Sequence, residues 1–111
     1  MVTEINSILA MKVFVLSSDE YYRKRVIDSL IRFGFKNIVP YSNQIDCIND
    51  IHLKPDILFV KYESEKKQDF RTVRSFKDAN SKCHIVMLDD TETLVSKIFN
   101  LARQIRQISI R

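Results

Sequence analysis

Glycine and proline are nearly absent from this chain of 111 residues, which contains one glycine, Gly34, and two prolines, Pro40 and Pro55. Because these residues supply many turns and loops, their scarcity predicts that most of the chain is regular secondary structure. Tryptophan is absent, and no apolar run approaches the roughly 18 residues that a membrane helix needs. Residues 1–10 carry Glu4 and no basic cluster, which is not the pattern of a signal peptide. We therefore expect one domain with no membrane association.

Cysteine is also scarce. Cys47 and Cys83 form no CxxC pair, and no cluster of histidines lies near either of them in the sequence. This favours two buried or half-buried thiols in the reducing cytoplasm, with a disulfide or a metal site as the alternatives.

Acidic residues are sparse near the C-terminus, and the formal net charge of the chain is +4. After Asp90 a single acid, Glu92, stands against four basic residues, namely Lys97, Arg103, Arg106 and Arg111. We interpret this segment first as the solvated face of a helix and second as a surface for an acidic partner.

Apolar runs of strand length alternate with amphipathic segments of helical spacing. Strands are predicted at Lys12–Leu16, Asn37–Tyr41, residues 56–61, His84–Leu88 and residues 108–111. Pro40 has no amide hydrogen to donate, so the second strand is expected at a sheet edge. Strands that alternate with single helices predict an α/β fold, a doubly wound parallel five-stranded sheet with right-handed crossovers.

The helices between these strands carry recognisable start and stop signals. Ser17 and Glu20 have the S-x-x-E spacing of a capping box, which predicts a helix over residues 19–33 that ends at a left-handed cap on Gly34. Asn43, Asp69 and Thr91 are the predicted caps of the other three helices. The expected inward-facing residues are Tyr22, Val26, Leu30 and Phe33, then Ile45, Ile48 and Ile51, then Phe70, Val73 and Phe76, then Leu94, Val95, Ile98, Leu101, Ala102 and Ile105.

Polar residues follow the predicted strands at their carboxyl ends, where ligands of open α/β sheets bind. The residues expected at that edge are Ser17, Ser18, Asp19, Lys61, Tyr62, Asp89, Asp90 and Arg111.

The order and spacing of these elements over residues 12–111 resemble the receiver domains of two-component signalling, the CheY-like family. The similarity is greatest in the stretch GFKNIVPYSNQIDCINDIHLKPD, which begins at Gly34. It looks like the family's second strand and second helix, followed by the K/R-P-D before the third strand. The resemblance implies a flavodoxin-like fold and a phosphate-accepting pocket at the carboxyl edge.

The residues that the family uses for phosphate chemistry are replaced here. Ser17 and Ser18 stand at the two acidic positions that bind magnesium, and a neutral hydroxyl is a much poorer ligand for a hard cation. Lys61 stands at the position of the acceptor aspartate, and an amine cannot form an acyl phosphate. The resemblance therefore implies a degenerate receiver with no metal and no cofactor.

The remaining family positions have changed in the same direction. Asp89 replaces the Ser or Thr after the fourth strand, and Ile108 replaces the aromatic residue of the fifth strand. Only Arg111 keeps a cation where the family has a lysine. The alternatives for single residues are a helix cap at Ser17, a solvated strand end at Lys61 and a turn at Asp89. Asp19 with Asp89 is the remaining metal alternative.

We expect the Lys61 ammonium to fill the former metal and phosphate space, in salt-bridge reach of Asp89 or Asp19. The expected function is a phosphorylation-independent pseudo-receiver, which acts in signalling or regulation by binding a protein partner or a second copy of itself. The alternative is nucleic-acid binding through the basic C-terminal helix or an additional domain. No Gly-rich phosphate loop and no HExxH motif occurs, so no enzyme activity is expected. The possible interaction surface comprises Lys97, Arg103, Arg106 and Ile108.

A receiver has one more helix after its fifth strand, and this sequence has no residues for it. We therefore expect the face of the sheet that carries the first helix to be partly bare in a domain of residues 11–111. The chain would then be a fragment of a longer one, a homodimer through that face, or a domain covered by residues 1–10, an extension with helical spacing of its apolar residues.

Overall fold

A computed structural model of the chain describes residues 8–61, 68–80, 82–88 and 93–110, and the side chains of all of these except 68–70 and 105–110. Strands and helices alternate along these residues. The strands are β1 (Lys12–Leu16), β2 (Asn37–Tyr41), β3 (Ile57–Lys61) and β4 (His84–Leu88). The helices are α1 (Glu20–Phe33), α2 (Gln44–Asn49), α3 (Gln68–Ala79) and α4 (Leu94–Ile110), and a short 3-10 helix, Ile51–Leu53, follows α2. The predicted α/β class is confirmed. None of the helices in these segments is long and apolar enough to cross a membrane.

The four strands form one parallel sheet in the order β2-β1-β3-β4, which is compatible with a flavodoxin-like fold. β2 lies at an edge and pairs with β1 through a register that sets Pro40 opposite Val15. The edge position predicted from Pro40 is therefore confirmed.

Alternate residues of the central strands enter two separate cores, one on each side of the sheet. Val13 and Val15 of β1 pack with residues of α1 and α4, whereas Phe14 and Leu16 pack with residues of α2 and α3. Phe14 and Val15 are both fully buried, which explains why this strand is apolar without alternation. Helices therefore cover both faces of β1.

The start of α1 differs from the predicted capping box. Asp19 is the N-cap, and its carboxylate accepts a hydrogen bond from the Tyr22 amide at 3.0 Å. The Ser17 hydroxyl, three residues before the first helical residue, instead accepts a bond from the Asp19 amide at 3.2 Å. A carboxylate and a hydroxyl are both good helix caps. Here the Ser17 hydroxyl forms its hydrogen bond within the loop between β1 and α1, so the carboxylate caps the helix.

The predicted fifth strand is wrong, because residues 108–110 belong to α4. Ile98 and Leu101 are buried in the core, and the apolar spacing they begin continues through Ile105 to Ile108 without a glycine or proline to end the helix. Ile108 is therefore a helical residue and does not occupy a strand position. Arg111 lies outside the described residues.

The expectation of a bare sheet face is also wrong. α4 packs on the same face as α1, and Ile8, at 2% exposure, enters the core between them. Ile8 and Leu9 are helical, and the Met11 amide closes the turn by donating to the Ile8 carbonyl oxygen at 3.0 Å. Three arrangements were expected to account for a bare face. The described residues show one of them, in which the N-terminal segment packs against that face.

Several predicted helix faces need correction. Ile45 is 67% exposed, because the short helix α2 presents Cys47 and Ile48 to the core, and Ile45 falls on the opposite side. Val95 of α4 is also half exposed. Asn43 caps α2 as predicted, by accepting from the Asp46 amide at 2.9 Å.

The third and fourth helices also begin differently from prediction. Asp69 lies inside α3 and does not cap it, since α3 begins at Gln68. Thr91 lies outside the described residues, and the Thr93 hydroxyl accepts from the Ser96 amide at 3.2 Å in the first turn of α4.

Cys47 and Cys83 are buried free thiols in the core between the sheet, α2 and α3, as the sequence predicts. Burial, and secondly the Asp50 carboxylate, raises the pKa of Cys47 to about 12, and burial raises the pKa of Cys83 to about 11. Since the thiolate is the reactive form, we expect neither thiol to be alkylated by iodoacetamide at about pH 8 in the folded protein. Mass spectrometry should find both alkylated after denaturation, and rapid labelling of the native chain would contradict this burial.

Candidate functional site

The candidate site lies at the carboxyl ends of the two central strands, β1 and β3. β2 lies beside β1 at one edge of the sheet, and β4 lies beside β3 at the other edge. The connections that follow β1 and β3 therefore run in opposite directions along the sheet. Such a reversal opens a crevice between the two strands, and ligands of α/β sheets bind there. Leu16 pairs with Val60, so Ser17 and Lys61 are the next residues of the two strands at this crevice.

Ser17 is buried, with 3% of its surface exposed, and its polar groups are all bonded within the protein. Its amide donates to the Tyr41 carbonyl oxygen at 3.1 Å, and its hydroxyl accepts from the Asp19 amide. The Arg23 guanidinium donates to its carbonyl oxygen at 2.6 Å. Ser17 therefore organises the loop between β1 and α1, in agreement with a structural role, while the neighbouring Ser18 is exposed.

Arg23 was not singled out by the sequence, because its position in the helical repeat predicts an exposed side chain. It is half-buried, and its bond to Ser17 reaches back six residues across the start of α1. A charge-assisted bond of this kind fixes both the loop and the helix. A guanidinium thus lies at the carboxyl end of β1.

The Lys61 side chain is half-buried, and its ammonium nitrogen lies 4.4 Å from the centre of the Tyr22 ring. This distance is well within the range of a cation–π contact, which is about 6 Å. Lys61 is therefore not simply extended into solvent. The sequence assigned Tyr22 to the core stripe of α1, and the ring does pack against that core while its face receives the lysine.

The ion pair predicted for Lys61 has two candidate acids, Asp89 and Asp19. Asp89 lies outside the described residues, so a contact between Lys61 and Asp89 stays a prediction. The Asp19 carboxylate caps α1 by accepting a hydrogen bond from the Tyr22 amide, and its contact with Lys61 likewise stays a prediction. Tyr22 therefore connects the two groups, since its amide binds Asp19 and its ring lies under Lys61.

Tyr41, at the end of β2, is a further residue that the sequence analysis missed. Its hydroxyl donates to the Asp50 carboxylate at 2.7 Å, and its ring lies 4.8 Å from that of Phe14. Burial and then the Asp50 bond raise the pKa of Tyr41 well above its ordinary value, so the phenol stays neutral and donates. The contact fixes the segment after α2 against the edge strand and is structural in character.

The predicted interaction residues lie on α4. Lys97 is half-buried and Arg103 is exposed, whereas the side chains of Arg106 and Ile108 are outside the description. Lys97 and Arg103 are six positions apart on one helix, and neither belongs to the crevice between β1 and β3.

The crevice offers cations where a metal site would need carboxylates. No group of three or more His, Cys, Asp or Glu residues that could hold a metal ion occurs in the described part of the chain. The only one of the predicted edge acids among these residues is Asp19, whose oxygen Oδ1 already serves the α1 cap. Chemically, the described residues of this edge can hold the loop between β1 and α1 in one state and supply two cations, Arg23 and Lys61.

The functional interpretation depends on these side chains alone, because a scan against protein-family models finds no match and a search of curated proteins finds no similar sequence. Three features of the crevice therefore carry the argument: a buried serine used by its own loop, a guanidinium bonded behind it, and an ammonium seated on a tyrosine ring.

Proposed function

We propose that the chain is a doubly wound, receiver-like module that does not accept phosphate and that acts by binding another protein in signalling or regulation, in the cytoplasm. The observation that carries this proposal is the position of Lys61. In the receivers that the sequence resembles, the end of the third strand carries the acceptor carboxylate. Here that position holds an ammonium 4.4 Å from the centre of a tyrosine ring.

The chemistry of the replaced acceptor supports the proposal. An acyl phosphate requires a carboxylate oxygen as nucleophile, and the Lys61 side chain carries an amine in its place. The Arg23 guanidinium beside β1 adds a second positive charge. Two cations oppose the binding of a magnesium ion, which prefers anionic oxygen ligands.

The packing of the edge supports a constant state rather than a switch. Ser17 is buried and its hydroxyl serves the amide of Asp19, so it has no free role for a ligand. Asp19, Tyr22 and Lys61 form one chain of contacts from the α1 cap to the end of β3. A module without a phosphate switch acts through the surface that it presents. Its role in a signalling or regulatory pathway would then be to bind a partner protein.

Incubation with acetyl phosphate and magnesium, followed by intact-mass measurement, tests the proposal. We expect no addition of a phosphate group to the native chain. The Lys61→Asp variant restores a carboxylate at the end of β3 but leaves Ser17 and Ser18 in place of the metal-binding acids, so it too should stay unmodified.

A genuine receiver domain, treated in parallel, provides the positive control for the phosphodonor. A stable added phosphate on the native chain would reject the proposal. A spectral change with beryllofluoride and magnesium would reject it equally, since that complex mimics an acyl phosphate.

A further inference from the structure

The two edges of the sheet are protected differently. In parallel pairing, the main-chain groups of successive residues point alternately to the two sides of a strand. The Tyr41 carbonyl oxygen accepts from the Ser17 amide, so Tyr41 faces β1 and its neighbour Pro40 faces outwards. Proline offers no amide hydrogen there, which blunts the β2 edge against further strand pairing.

Among the described residues, the β4 edge has no comparable protection. The His84 amide donates to the Asp56 carbonyl oxygen at 2.9 Å, so His84 and Val86 face β3 with their main-chain groups. Ile85 and Met87 consequently direct their amide and carbonyl groups away from the sheet. β4 has the sequence HIVML, with no proline and no lysine or acid, and among the described residues it pairs with β3 alone. Such an edge is a template for one more strand.

A groove of about 330 Å³ follows this edge between α3 and α4. Its floor is β4, and its walls carry Lys77 from α3 and Lys97 from α4. The Lys77 ammonium also donates to the Cys83 carbonyl oxygen at 2.7 Å, which holds its charge at the beginning of β4. Burial, and secondly the charge of Lys77, lowers the pKa of His84, so the imidazole is neutral at pH 7 despite the opposing effect of Asp56.

The positive charge of the groove favours an acidic binding partner. Its described lining contains two lysines and no carboxylate. A second copy of the chain, paired through the same edge, would bring its own Lys77 and Lys97 against these lysines, and like charges at an interface oppose pairing. An extended segment with acidic side chains would be attracted by the lysines of the walls, and its main chain could form hydrogen bonds with the outward main-chain groups of β4.

We propose that β4 binds an acidic, extended segment of a partner protein as an added strand. The outward main-chain groups of Ile85 and Met87 form the ladder, and Lys77 and Lys97 contact the acidic side chains. This inference rests on the proposed function, for which it specifies the surface and the class of partner. Main-chain bonds would give affinity and the lysines would give selectivity, as in other strand-addition complexes.

The probe is a fluorescein-labelled, acetylated peptide of alternating valine and glutamate, titrated with the full chain and followed by fluorescence anisotropy. We expect saturable binding that weakens with added salt. A peptide with lysine in place of glutamate should not bind. The valine–glutamate peptide with N-methyl groups on every second amide should also fail, because it cannot complete the ladder.

Variants test the groove itself. Lys97→Glu and Lys77→Glu should each weaken peptide binding about tenfold, since each replaces attraction by repulsion at the wall. Lys24→Glu on the exposed part of α1 changes the net charge identically and is the matched control, with unchanged affinity expected. Circular dichroism verifies that each variant is folded.

Hydrogen exchange supplies a readout that general electrostatic attraction would not change. The amides of Ile85 and Met87 should gain protection when the valine–glutamate peptide binds. The Val86 amide faces β3 and should be protected to the same degree with and without peptide, which makes it an internal reference.

The outcomes separate this inference from the proposed function. Equal binding of both peptides, equal affinity of Lys97→Glu and Lys24→Glu, or no protection at Ile85 and Met87 would overturn strand addition. A free protein that sediments as a dimer with those amides already protected would assign the edge to a second copy. Competition by single-stranded DNA for the peptide would assign it to nucleic acid. In all of these cases the phosphodonor experiment still decides separately whether the chain accepts phosphate, and binding of a protein at another surface remains open to the proposed function.

Discussion

Replacing Ile8 by alanine is expected to lower the free energy of unfolding by about 2–5 kcal/mol, the usual cost of truncating a buried isoleucine. Ile8 is 2% exposed and packs in the core formed by β1, α1 and α4. Since a domain of this size has a total stability of roughly 5–15 kcal/mol, the loss would be a large fraction of it. Urea denaturation followed by circular dichroism measures the change.

Ile45→Ala is the matched control, because it makes the same chemical change on a side chain that is 67% exposed. We expect it to alter stability by less than about 0.5 kcal/mol. A chain that begins at Met11 lacks Ile8 and Leu9 and should be at least as unstable as Ile8→Ala. Equal stability of the Met11 chain and the full chain would contradict the docking of the N-terminal segment.

The buried strands and their boundaries could be predicted from the sequence because their composition allows few alternatives. Lys12–Leu16 and His84–Leu88 are short, branched and apolar, and the structure places strands at those bounds. Pro40 predicted that β2 is an edge strand, because a residue without an amide hydrogen is tolerated only where no partner strand requires that hydrogen bond. These are local constraints, and each is visible in a few neighbouring residues.

The helix faces were predictable only where the helix is long. α1 is 14 residues long, and its stripe of Val26 and Leu30 is buried as predicted. α2 has 6 residues, for which the apolar positions Ile45 and Ile48 do not define one face. The burial of Cys47 in place of Ile45 depends on how α2 sits against α3, and this relation is not encoded locally.

The candidate site was predictable in position and not in its contacts. The alternation of strands and helices placed Ser17 and Lys61 at one edge, and their strands are adjacent there. One contact of Lys61 is with the Tyr22 ring on α1, which its spacing assigned to the core, and the sequence does not reveal that one face of this ring receives the lysine. The bond from Arg23 back to the loop before its helix is likewise a tertiary feature, which helical spacing does not reveal.

The tail of the chain illustrates how two local patterns can compete. Residues 108–111 were predicted as a strand because apolar runs of strand length alternate with helical segments along the chain, although Ile105 and Ile108 continue the helical spacing of Ile98 and Leu101. The structure follows the spacing through Ile110. One consequence is that β4 remains an edge strand among the described residues, and the inferred binding groove depends on this.

Replacing Gly34 by alanine is expected to lower the free energy of unfolding by about 1–3 kcal/mol, because residue 34 has a backbone conformation that side chains rarely adopt. Its φ is 118°, and its amide and that of Phe35 close α1 by donating to the Ile31 and Leu30 carbonyl oxygens. These two bonds form a Schellman motif, and the contact between Phe35 and Leu30 in the core accompanies it. Thermal and urea denaturation measure the loss.

Part of that cost should come from Leu9, which connects this prediction to the first. A Cβ atom at residue 34 would lie 3.0 Å from the Leu9 Cδ1 atom, so the leucine must shift to admit it. In a Leu9→Ala background this contact is gone, and Gly34→Ala should cost less there than in the native chain. The difference in a double-mutant cycle measures the contact between the N-terminal segment and the end of α1. An equal cost in both backgrounds would mean that backbone strain accounts for the whole effect, and a Gly34→Ala chain as stable as the native one would contradict the left-handed cap itself.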